Sequence, residues 1–184
     1  SANTLALGLS VVQGVMATRL LGPAGFGLIG VVMAFASTVN SVFSFRMGEL
    51  TVRYGGEYLN RGEKEKAAAL LKAASLTEGV VSFLAFCVAF LTAHLAQEHL
   101  AKTENAAWMF AVFALNLLAN FNTETATGIL QITDRIKWQG TINLIQAVAT
   151  TLIIAGAFFF GGGLATVLVA YLIGKSILGL GLFI

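Results

Sequence analysis

Apolar residues run in long blocks along this chain, and polar ones gather between the blocks or at isolated positions inside them. The blocks predict six spans, at residues 3–17, 28–47, 73–93, 106–129, 141–160 and 164–184. Most of them approach the roughly 20 residues with which a helix crosses the hydrocarbon of a bilayer. Membrane-crossing strands would need only about ten residues and would alternate strictly, which these blocks do not. A helix satisfies its backbone hydrogen bonds within one segment, as lipid demands. The expected fold is therefore all-α, a polytopic transmembrane bundle of about six helices in a single domain.

The connections differ in character. Arg19-Leu-Leu-Gly-Pro-Ala-Gly-Phe-Gly27 reads as a tight turn in which Pro23 starts the second helix. Residues 53–72 are long and polar, residues 94–105 and 131–140 are shorter, and Gly161-Gly162-Gly163 is a bare turn. The second and fourth connections hold Arg53, Arg61, Lys64, Lys66, Lys72, Arg135 and Lys137, against Arg19 and Lys102 on the other side. Basic residues stay on the cytoplasmic side, so the expected topology has a cytoplasmic N-terminus and puts the turns at Pro23, His94 and Gly161 outside. Tyr54 and Trp138 sit near span ends, as interfacial aromatics do.

Composition sharpens this picture. Of 184 residues, 57% are hydrophobic and 11% charged, far fewer charges than the roughly 25% of soluble domains. The net charge of +2 is small and no basic, aromatic-interleaved patch exists to track a phosphate backbone, so nucleic acid is not an expected partner. Cys87 is the single cysteine, which excludes an internal disulfide and a paired-cysteine metal site. The chain opens without the basic flank of a secretory signal and stops while still apolar, so both ends are expected to be cut from a longer protein.

Polar residues inside the blocks carry the functional signal. In the fourth block Asn116, Asn120, Glu124 and Thr127 recur at three- and four-residue spacing and would share one helical stripe. Ser37, Asn40, Ser41 and Ser44 repeat the pattern in the second block, Ser75, Glu78 and Ser82 in the third, and Asn143, Gln146 and Thr150 in the fifth. Such groups also hydrogen-bond between helices as glue, so singly they decide nothing; repeated on several helices, they suggest a common polar interior. Ionisable groups are more costly to bury, about 2.5–3.5 kcal/mol each on insertion scales, which singles out Glu78, Glu124 and Lys175. Arg46 lies close enough to the cytoplasmic boundary to snorkel.

His94 and Glu98 share a helical face, but His99 falls off it and no fourth ligand is evident, so no metal is expected. No Walker A, G-x-S-x-G or H-E-x-x-H sequence is present. Neither an enzyme nor a cofactor is readable.

Three stretches together resemble the polysaccharide-export and oligosaccharide flippase branch of the superfamily that also holds the multidrug and toxin extruders. They are residues 19–27, Met47-Gly-Glu-Leu-Thr-Val-Arg-Tyr54, and Gly128-Ile-Leu-Gln-Ile-Thr-Asp-Arg-Ile-Lys137. Phe45-Arg46 departs from the family's more apolar approach to the glycine and leaves the role of Arg46 open. The resemblance implies that the chain is the N-terminal bundle of a transporter of 12 to 14 helices in the bacterial cytoplasmic membrane, with the C-terminal bundle as partner. It implies alternating access and a polyprenyl-pyrophosphate-linked oligosaccharide as substrate. Lys175 or Arg46 would then meet the pyrophosphate, and Asn40, Asn116 and Asn120 the sugar hydroxyls. Glu124 and Glu78 would couple transport to an ion. Two other readings stay open: a cation-coupled multidrug extruder, which the carboxylates suit and Lys175 opposes, and a non-transporting scaffold for a glycan polymerase.

Overall fold

The computed structural model describes residues 2–44, 46–103 and 106–182; Phe45 and residues 183–184 of the sixth expected span lie outside the described residues. Helix α1, Ala2–Phe43, contains a break at Gly22, whose φ of 71° and ψ of 170° leave the helical region. Positive φ suits glycine, and Pro23, which has no N–H to lose, starts the second half. A Cβ at Gly14 would stand 3.9 Å from the Phe26 ring, although twelve residues of straight helix would separate the two by about 18 Å. The halves therefore bend sharply back toward each other, and each has the length of a span.

Arg46, at φ 51°, precedes a juxtamembrane run: α2 (Met47–Leu50), a π-helical turn (Thr51–Gly55) and α3 (Gly56–Asn60). Helix α4, Lys64–Leu91, starts well before residue 73, because the Glu- and Lys-rich stretch that reads as a connection continues the helix into water. Next come α5 (Ala93–Ala96), a second π-helical turn (Gln97–Ala101) and α6 (Ala107–Ala119). The chain ends with α7 (Thr123–Ile132), α8 (Ile136–Phe160) and α9 (Leu164–Gly181). Four of these helices, α1, α4, α8 and α9, are long and apolar enough to cross a membrane.

The fourth expected span differs from a single helix. It is split into α6 and α7, of 13 and 10 residues, and residues 120–122 between them form a turn. The side chain of Asn120 folds back to donate to the carbonyl oxygen of Asn116 at 2.8 Å and to its Oδ1 at 2.7 Å. Such local bonds let asparagine compete with helical backbone geometry. The continuous stripe expected from Asn116 to Thr127 is thus interrupted midway.

The bundle is packed through small residues and exposes large ones. Ala17, Ala36, Ala85, Ala89, Ala114 and Ala170 are buried, around Phe110 and Phe113. Leu7, Leu91, Phe159 and Phe160 face outward, Phe160 with 92% of its surface free. Close backbone contact through small residues is how helices associate when lipid is as apolar as leucine. On α9 a Cβ at Gly174 would overlap the Thr150 hydroxyl, and one at Gly179 would overlap the Ala119 carbonyl at the end of α6. Gln13, 3% exposed, ties α1 to α8 by donating to the Ala147 carbonyl and the Thr151 hydroxyl, both at 2.9 Å.

Candidate functional site

Three long segments, from α1, α4 and α9, and the broken helix meet at a cavity of about 430 Å³. The second half of α1 brings Ser37 and Asn40 to its wall, with Ser44 just past its end, and α4 brings Glu78 and Ser82. Asn116 of α6 and Asn120 at the break face them, followed by Thr123 and Glu124 at the start of α7. Lys175 of α9 completes the wall. Ser37 and Asn40 are exposed, so the cavity is open along α1 and closed by α4, α6, α7 and α9.

Six of the seven site residues expected from the sequence, Lys175, Asn40, Asn116, Asn120, Glu124 and Glu78, therefore line one space. Arg46 does not join them. Its side chain is 78% exposed and pairs with Glu49 at 3.2 Å, beside a second pocket of about 620 Å³ that also takes Arg53, Thr127 and Gln131. The two pockets share Thr123 and Glu124. Thr127 lies on the second pocket because the break re-aims α7, which corrects its expected place beside Asn116.

The carboxylates are held differently. Glu124 Oε1 accepts from the Ser44 hydroxyl at 2.5 Å, a charge-assisted bond of the short kind. Glu78, 9% exposed, accepts the backbone N–H of Glu124 on Oε1 at 2.8 Å and that of Thr125 on Oε2 at 2.9 Å. Among the described residues no ion pair within 4 Å joins Lys175 or Arg46 to either carboxylate; the pairs formed are Arg46–Glu49, Arg61–Glu57, Lys66–Glu63 and His94–Glu98. A cation and two acids thus share a cavity without neutralising one another in direct contact.

A model of a family described as polysaccharide biosynthesis protein matches residues 1–184. The chain belongs to that family. No curated protein and no solved structure matches it. The family and the long apolar helices together make this chain part of a multi-pass membrane protein. The three stretches that resemble the flippase branch fall at structural joints: the break at Gly22, the entry into α2 and its π-helical turn, and the passage from α7 to α8.

Not every polar stripe reaches the cavity. Ser41 donates to the Thr38 carbonyl at 2.8 Å, and the stripe on α8 packs against Gly174, with Gln146 Nε2 3.2 Å from a Cβ there. His94 and His99 do not converge: His94 pairs with Glu98, and His99 Nδ1 lies 3.0 Å from the Leu95 carbonyl. Ser44 was legible as a stripe position, but its bond to Glu124 joins residues 80 apart in sequence. Gln13 escaped notice, although a lone amide inside an apolar block is the signal that finds such residues.

Proposed function

We propose that this protein is a flippase that moves polyprenyl-pyrophosphate-linked oligosaccharide across the bacterial cytoplasmic membrane by alternating access, and that this chain is its N-terminal bundle. The carrying observation is the shared cavity, in which Lys175 stands with Asn40, Asn116 and Asn120 in a member of the polysaccharide biosynthesis protein family. Lys175 supplies positive charge for the pyrophosphate, and the amides, which both donate and accept, suit sugar hydroxyls. Arg46, beside the second pocket, meets the pyrophosphate at the cytoplasmic mouth. The polyprenyl chain stays in lipid against the apolar exterior.

The second bundle, in the rest of the transporter, closes the side of the cavity left open along α1. Rocking of the two bundles then exposes the cavity to each face in turn. Glu124, with Glu78 beside it, binds a proton or sodium ion in one state and releases it in the other, so that an ion gradient drives the cycle. The N-terminus is cytoplasmic, and a glycan polymerase outside the membrane is a fitting consumer of the product.

Lys175 provides the test. In the full-length transporter, Lys175→Arg is expected to retain most export of the lipid-linked oligosaccharide. Lys175→Met is expected to lose roughly tenfold or more, the scale of a charge-assisted hydrogen bond. Equal export by Lys175→Met and wild type would rule the pyrophosphate contact out. The paired carboxylates favour one other reading, a cation-coupled multidrug extruder; efflux of a lipophilic cation by the purified protein, without movement of the sugar lipid, would select it.

A further inference from the structure

Glu78 lines the cavity, yet both of its oxygens are already occupied by backbone. The donors belong to the first turn of α7, where N–H groups have no partner within the helix. Elsewhere a serine, threonine, aspartate or asparagine just before a helix satisfies them. Here Asn122 holds that place, at φ −139° and ψ 22°, and its side chain makes no cap bond. A carboxylate from another helix does so instead: Oε1 takes the N–H of Glu124 and Oε2 that of Thr125. The negative charge also meets the positive end of the helix dipole.

The break is held from two sides. Phe121, in its middle, lies against α4 at Gly79, the residue after Glu78, with 3.6 Å from its ring to a Cβ placed there. On the far side Gly179 of α9 brings its backbone against the Ala119 carbonyl, where α6 ends. Glu124 is the second residue of α7, so its backbone is fixed by Glu78 while its side chain is fixed by Ser44.

We propose that Glu78 is a positioning residue, a cap in trans that holds the α6–α7 break and so aims Glu124 into the cavity. The cap stands on geometry alone; its consequence for transport rests on the ion-coupling reading of Glu124.

Amide hydrogen exchange, resolved to single residues on the full-length protein in lipid nanodiscs, tests the cap. In the wild type the amide of Glu124, which borders the cavity, and that of the buried Thr125 are both expected to be protected. Exchange of both at the rate of an uncapped first turn would overturn the proposal without any variant having to fold. In Glu78→Gln one acceptor becomes a donor facing an N–H, and exchange at these two amides should rise about ten- to hundredfold, with α9 unchanged as the internal reference. No change in Glu78→Gln would equally overturn it. For the functional consequence, Glu78→Gln should alter the pH and sodium dependence of transport in wild type and add nothing in a Glu124→Gln background. Additive effects would mean that Glu78 does not act through Glu124. Wild-type ion dependence in Glu124→Gln alone would remove the coupling reading and leave the exchange result standing.

Discussion

Lys175, Glu78 and Glu124 are each costly to hold within a membrane, and the way each is held separates their roles. Glu78 spends its acceptors on backbone, Glu124 spends one on Ser44, and Lys175 stands in no ion pair among the described residues. A permanent bridge from Glu124 to Arg46 or Lys175 would have made the carboxylate a structural tie; the observed partner is a hydroxyl instead. Glutamine can still accept from Ser44, so Glu124→Gln trades a charge-assisted bond for a neutral one. The difference is about 1 kcal/mol, small beside a folding stability of about 5–15 kcal/mol. The variant is expected to accumulate as folded protein and to lose the response of transport to pH and sodium. Transport by Glu124→Gln with the wild-type pH and sodium dependence would exclude ion coupling through this residue.

Helix existence was legible from the blocks, and so was the turn at Gly22, because glycine followed by proline carries its own backbone chemistry. The interruption of the fourth block was not. Asn116 to Thr127 has helical periodicity throughout; besides the local bonds of Asn120, the break is met by Glu78, 46 residues from Glu124, and by the backbone of Gly179. Local pattern cannot contain a cap supplied by another helix. The same limit explains the site: the stripes found the residues that share a cavity, while the partners of Ser44 and Glu78 needed the tertiary arrangement. Gly179 makes the element-scale claim testable. A methyl there would overlap the Ala119 carbonyl, and overpacking of this kind costs typically about 1–3 kcal/mol. At Gly156 of α8 an added Cβ meets nothing within 4 Å, and alanine gains up to about 1 kcal/mol in helix propensity. Gly179→Ala is therefore expected to lower the thermal unfolding midpoint of the detergent-solubilised protein, and Gly156→Ala to leave it unchanged or raise it. The reverse order would mean that α9 does not clamp the end of α6.

The molecule as a whole turns large apolar side chains outward and keeps alanines, glycines and the polar cavity inside, an arrangement that lipid stabilises and water would not. Its two ends differ in charge. Arg53, Arg61, Lys64, Lys66, Lys72, Arg135 and Lys137 belong to the connections at one end, and Arg19 and Lys102 to those at the other. Between Arg61 and Lys102 runs α4, Lys64–Leu91, whose 28 residues extend about 42 Å, more than the roughly 30 Å of bilayer hydrocarbon. A crossing by α4 puts positions 61 and 102 on opposite sides, and the positive-inside bias predicts a cytoplasmic Arg61. In a Cys87→Ser background, a single cysteine replacing Lys102 is expected to react with a membrane-impermeant maleimide added to intact cells. A cysteine replacing Arg61 is expected to react only after the membrane is permeabilised. Labelling of both from the same side would contradict the crossing by α4, whereas labelling of the pair in the opposite sense would keep the crossing and invert its orientation.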